Sequence, residues 1–223
     1  MKAPLLLIAA LVAGFSHPIG WALDLPQALA IAWKGTGVGL LAVWASAQGA
    51  STDHRLLATV LALGAVADMV LEVHFIGGAA VFAVGHVVAI TLYLRNRRKT
   101  PYAAITVPLL IVASIATAML YAPAEMRIAI GAYTLLLACM AASAGVSRFP
   151  AAAIGALLFL ASDLLILARM TSLADAGWPT LAIWLLYFSG QALIAWGVAS
   201  VLQREAMRLQ PQRRKFTPSS MPK

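Results

Sequence analysis

Apolar residues run through this chain in stretches of roughly twenty, each interrupted by a short polar, proline- or glycine-containing cluster. A helix rises about 1.5 Å per residue, so roughly 20 apolar residues cross the hydrocarbon of a bilayer. The interruptions "HPIGWALDLPQ", "AQGASTDHR", "EVHF", "RNRRKTP", "YAPAEMR", "GVSRFP" and "RMTSLADAGWP" divide the chain into eight such segments. They are residues 4–22, 27–47, 55–72, 75–94, 102–120, 125–145, 150–169 and 179–202. The pattern predicts an all-α integral membrane protein, a bundle of eight transmembrane helices. Because the connections are short, neighbouring helices are expected to pack antiparallel in one domain over 1–203. Residues 204–223, basic and with three prolines, read as a disordered tail at the lipid surface.

Composition agrees with that reading and narrows it. Of the 223 residues, 62% are hydrophobic and 11% charged, more apolar surface than a soluble domain of this length can hide. Cys139 is the single cysteine, so neither a disulfide framework nor a thiolate metal site is available, and in "YTLLLACMAA" it reads as a packing residue. The net charge of +8 does not point to nucleic acid, because the basic residues flank apolar spans in short blocks. Orientation in the bilayer and contact with anionic lipid account for them.

With the N-terminus on the cytoplasmic side, that side collects Lys2, Arg55, the "RNRRK" cluster, Arg148 and the basic tail, while the opposite side has Arg127 and Arg169. Lys34 lies inside a span, and the other basic residues divide thirteen to two. The bias places both termini in the cytoplasm. It also favours segment 1 as a span over a cleaved leader, since no clear small-x-small site follows it. The expected location is the cytoplasmic (inner) membrane of a bacterium.

Orientation makes depths comparable. Asp68 lies thirteen residues along its outward-running segment, and Asp163, in "ALLFLASDLLILA", lies thirteen along another. Segments 2, 4 and 8 run inward and bring Lys34, His86, and Tyr187 with Gln191 to about the same layer. Ionisable groups within spans normally face the bundle interior and find partners there, so this layer is the expected functional site. Glu72 stands a turn nearer the outer surface, as a gate or head-group contact, and His74 belongs to the turn after it. Gly64, Gly77, Gly78, Gly85 and Gly155 are expected to let helices approach closely.

Two carboxylates close together in a low-dielectric site do not both ionise readily. A general acid beside a general base suits protonation of a poor leaving group or an electron-rich carbon, with a developing oxocarbenium ion to stabilise. The histidines are scattered without HxH or HxxxH spacing, so no metal site is expected. GxSxG, Walker-type and GxGxxG stretches are absent, as is the GxGD of intramembrane aspartyl proteases.

The succession "AD…LE", "FIGGAAVFAVGH", "GALLFLASD" and "Y…Q" resembles the YhhN family of lysoplasmalogenases over most of the chain. Asp68, the Phe82 to His86 stretch, and Ser162 with Asp163 are the most specific parts. Two positions depart from the family pattern: Lys34 is followed by Gly35 instead of proline, and Ala89 stands where a tyrosine is frequent. The resemblance implies hydrolysis of the vinyl-ether bond of a lysoplasmalogen, a lysophospholipid, to a fatty aldehyde and a glycerophospho-base without cofactor or metal. In that reading Asp68 and Asp163 divide the acid and stabilising roles. Lys34 binds the phosphate or holds the ionised aspartate, and Ser162, His86, Tyr187 and Gln191 bind or orient. The rival reading is a proton-coupled transporter or lipid flippase using the same carboxylates.

Overall fold

The computed structural model describes residues 3–215, with side chains over 4–208. Within that range the chain forms eight helices long and apolar enough to cross a membrane, which makes it a multi-pass integral membrane protein. They are α1 (Ala3–Ser16), α2 (Gln27–Ser46), α3 (Thr52–Leu71), α4 (Phe75–Arg95), α5 (Ala103–Tyr121), α6 (Arg127–Gly145), α7 (Pro150–Met170) and α8 (Pro179–Lys215).

The first span ends at Ala22 as expected, and two other boundaries differ from the sequence expectation, each for a local reason. The first span continues past α1 as a 3-10 turn, His17–Ala22, where Pro18 cannot supply an α-helical donor. α3 begins at Thr52, earlier than the expected 55, because Ser51 caps it and accepts from the His54 amide, with Asp53 in the first turn. Polar residues that looked like loop are helix start. The tail expected to be disordered from 204 is helical as far as Lys215, continuing α8, whereas 216–223 lie outside the described residues. Good helix formers follow Leu202 in "QREAMRLQ", and the exit from lipid does not by itself end a helix.

His74 ends the α3–α4 turn and caps α4, its Nδ1 accepting from the Gly77 amide at 2.8 Å. This explains an exposed histidine between two spans.

Helix contacts close a ring. α3 packs on α4, α4 on α6, α6 on α7, α7 on α8, and α8 on α3. α1 and α2 lie against the α3–α8 side of the ring, and α5 against α6 and α7. Backbones approach closely between α7 and α8: a Cβ added to Gly155 would stand 2.5 Å from the Gly190 carbonyl oxygen. Leu120, Ile128 and Ile105 are among the large apolar side chains turned outward, where lipid replaces a protein partner.

A polar clamp joins the helix ends on the side of the chain termini. Asp53 of α3 accepts from Arg95 Nε and Asn96 Nδ2, both at 3.1 Å. Arg148, in the α6–α7 turn, donates to Asn96 Oδ1 at 2.7 Å and pairs with Glu205 of α8. Asn96 is the buried member, and its amide is tolerable there because both ends have a partner.

Candidate functional site

Each helix of the ring carries a polar side chain to its interior: Asp68 on α3, His86 on α4, Tyr133 on α6, Asp163 on α7, and Tyr187 with Gln191 on α8. They form two arms of the same construction.

In the first arm Asp68 is 2% exposed and its Oδ2 accepts from the Tyr187 hydroxyl at 2.7 Å. Gln191 lies one turn further along α8, on the same face, and its Nε2 donates to the Tyr187 oxygen at 3.3 Å. The order is forced by the donor inventory. A phenol that gives its proton to a carboxylate can only accept from its next partner, so the amide nitrogen must face it. The Gln191 carbonyl oxygen therefore points away, and it has no partner among the described residues.

In the second arm Asp163 Oδ2 accepts from the Tyr133 hydroxyl at 2.7 Å, and His86 Nε2 stands 3.3 Å from the same hydroxyl. By the same rule the imidazole donates from Nε2. Asp163 is only partly buried, unlike Asp68. Between the arms stand Phe82 and Phe159, edge-on to each other with centroids 5.5 Å apart. Phe159 also meets Tyr187 at 5.2 Å and His86 at 5.3 Å. Among the described residues the two carboxylates make no hydrogen bond to each other. Each is held in one orientation by a phenol from another helix.

The remaining sequence candidates fall elsewhere. Lys34, on α2 outside the ring, pairs with Glu72 at the end of α3, so the charge expected to neutralise an aspartate is engaged with its neighbour a turn away. The pair is partly open, with side-chain exposures of 19% and 44%. Ser162 donates to the Ile183 carbonyl at 3.0 Å and staples α7 to α8.

Tyr133 was not among the sequence candidates. The signal was present, since it lies eight residues into its inward-running segment, as Tyr187 does in its own. A tyrosine in "GAYTLLLAC" carries no charge to draw attention, and only the depth count distinguishes it. His17 was likewise passed over as part of an interruption. It is buried against Trp184 at 4.3 Å between centroids, with Trp21 and Trp33 around it.

Chemically, the ring offers two carboxyls in a water-poor interior, each oriented by a phenol and backed by an amide or imidazole. That is equipment for proton donation, proton acceptance and stabilisation of a nearby positive charge. Among the described residues no three His, Cys, Asp or Glu side chains gather as metal ligands.

The YhhN family model matches residues 29–198, which contain both arms and the Lys34–Glu72 pair. No curated protein and no solved structure matches the chain.

Proposed function

Because the chain belongs to the YhhN family, we propose that it is a membrane hydrolase that cleaves the vinyl-ether bond of lysoplasmalogens. The observation that carries this reading is the convergence of two phenol-held aspartates inside one closed ring of helices. A vinyl ether is cleaved by adding a proton to the carbon β to oxygen. The π electrons form the new C–H bond, and the ether oxygen stabilises the resulting oxocarbenium ion. Water then adds to the cationic carbon and loses a proton, and the hemiacetal collapses to a fatty aldehyde and a glycerophospho-base.

In this scheme one of Asp68 and Asp163 donates the proton, and the other, ionised, faces the cation and takes the proton from water. Tyr133 and Tyr187 keep each carboxyl in one orientation, which a transition-state contact needs. The apolar tail of the single-chain substrate stays among lipid and helices while its linkage reaches the ring. Lys34 and Glu72 sit nearer the far face, where a phosphate would meet the ammonium and an amino head group the carboxylate.

The rival transporter reading has less support. α2, α3 and α7 run unbroken past Lys34, Asp68 and Asp163, without the interrupted half-helices that usually hold transported ions. Incubating the purified protein in detergent with a lysoplasmalogen, and assaying fatty aldehyde, decides between them. Wild-type protein is expected to release aldehyde, and Asp68→Asn and Asp163→Asn are expected to lose it. Folded wild-type protein that releases none, but moves the lipid across vesicle membranes intact, would establish the transporter instead.

A further inference from the structure

Inward of the two arms, towards the side of the chain termini, the ring encloses a cavity of ≈ 20 Å³ bordered by Gly64 of α3, Gly85, His86 and Tyr93 of α4, and Gln191 of α8. Two features set it apart from a packing defect. Its walls carry two buried polar atoms without a partner among the described residues, Gln191 Oε1 and Tyr93 Oη. Their residues are 2% and 0% exposed. An unsatisfied buried carbonyl or hydroxyl loses its hydration with nothing in return, so native interiors rarely leave two beside one space. The cavity is also the right size, since about 10–15 Å³ of such space accommodates one water. Its lining is otherwise largely apolar, with Val60, Phe82, Met140 and Phe159 in it, so the two unpaired atoms are the polar partners that a water needs there.

The donor logic of the arms points the same way. Tyr187 gives its proton to Asp68, so Gln191 must turn Nε2 to Tyr187 and Oε1 to the cavity. An amide oxygen accepts only, and it needs a donor. Tyr93 Oη can both donate and accept, but it makes no bond to Gln191. A water between them satisfies both atoms. His86, the end of the other arm, borders the same space.

We propose that this cavity binds a water molecule, held by Gln191 and Tyr93, and that this is the water consumed in hydrolysis. The second half rests on the hydrolase reading above. Gly64 is one helical turn before Asp68, about 6 Å along α3, so the cavity lies one turn inward of the aspartate layer. In a span interior no bulk water is at hand, and a held molecule is ready when the cation forms. Attack makes the new C–O bond and one water proton passes to the ionised aspartate. Collapse of the hemiacetal then breaks the bond to the glycerol oxygen, which takes that proton, while the hemiacetal hydroxyl returns its proton to the aspartate that began as donor.

The test has two arms. The first is a structure of the wild-type protein in lipid at a resolution that shows ordered waters. Density within hydrogen-bond reach of Gln191 Oε1 and Tyr93 Oη is expected, and a dry cavity overturns the site. This arm does not depend on any activity. The second adds methanol to the aldehyde assay. Methanol that captures the oxocarbenium ion gives a mixed acetal, which mass spectrometry counts against aldehyde. Tyr93→Phe keeps the ring's shape but removes one water partner, and its ratio of acetal to aldehyde is expected to rise several-fold over wild type. Gly85→Ala provides an independent variant, because the added Cβ meets nothing nearer than Leu63 at 3.6 Å while narrowing the cavity; the ratio is expected to rise there too. A ratio unchanged in both folded variants overturns the hydrolytic role. Absence of both aldehyde and acetal in wild type refutes the hydrolase reading itself and leaves the water site to the first arm.

Discussion

Tyr187 donates a 2.7 Å hydrogen bond to Asp68 across 119 residues of chain, and this one contact fixes α8 against α3 at the level of the site. A carboxylate inside a hydrophobic span is tolerable only when something compensates its lost hydration. Here the compensation is a phenol oriented in turn by Gln191, and Asp163 has the equivalent arrangement with Tyr133 and His86.

Asp68→Asn and Asp163→Asn keep the shape of each side chain but remove its ability to exchange a proton. Both are expected to lower aldehyde release by about 10²–10⁴-fold, the usual range for an acid–base group. Thermal unfolding in detergent should move little, because an amide oxygen still accepts from the phenol. A variant that keeps near-wild-type turnover would remove that aspartate from the mechanism.

Tyr133→Phe deletes the hydrogen bond that orients Asp163. A hydrogen bond contributes about 0.5–1.5 kcal/mol to a neutral carboxyl and about 1.5–3 kcal/mol to an ionised one, so kcat is expected to fall roughly 2- to 150-fold with a smaller change in KM. Since His86 acts through Tyr133, Tyr133→Phe combined with His86→Ala should cost less than the two single effects summed. A coupling of about 0.5–3 kcal/mol in that cycle is the expected reading, and simple additivity would break the arm into unrelated residues.

How much of this was legible beforehand depended on how loudly each residue speaks. Apolar run length located all eight spans, because a bilayer imposes one length on every helix. Charge drew attention to Asp68 and Asp163, and counting residues from the segment ends placed Asp68 level with Tyr187, which the structure bonds to it. Partner choice was not legible. Lys34 is close to the aspartates in depth, yet α2 lies outside the ring, and sequence does not show which helices close it. Tyr133 is uncharged and was silent until the ring was seen. The Ser51 cap was hidden by the assumption that a polar cluster marks a loop, when the same residues begin a helix.

Ser162 separates a structural staple from a site residue. Its hydroxyl is spent on the Ile183 carbonyl, so Ser162→Ala is expected to cost about 0.5–1.5 kcal/mol of stability. Aldehyde release per folded molecule should stay close to wild type. A large loss of kcat without a change in unfolding temperature would instead place the serine at the chemistry.

Gly155 tests the packing that holds the first arm in place. A methyl at 155 would stand 2.5 Å from the Gly190 carbonyl oxygen, and one at 190 would stand 2.7 Å from the Gly155 oxygen, so backbone must move to admit either. Overpacking of this kind costs about 1–3 kcal/mol. Gly155→Ala is expected to lower the unfolding temperature and, by shifting α8 from α7, to reduce activity through Tyr187. Gly145→Ala, where an added Cβ meets nothing within 4 Å, is the matched control and should do neither.

The Lys34–Glu72 pair is the remaining place where a head group can be read. Both side chains are partly open, and exposed ion pairs contribute only about 0–1 kcal/mol to stability, so their removal should barely change unfolding. If Lys34 contacts the substrate phosphate, Lys34→Met raises KM for a lysoplasmalogen several-fold with kcat near wild type, the signature of lost uniform binding. A 1-alkenylglycerol, which has the vinyl ether and no phosphate, should be cleaved equally well by both proteins. Glu72→Gln removes the carboxylate that meets an amino head group, so KM for an ethanolamine-bearing lysoplasmalogen is expected to rise while the 1-alkenylglycerol is unaffected. If Lys34→Met impairs the two substrates alike, the lysine acts on the fold or on the aspartate layer and not on the head group.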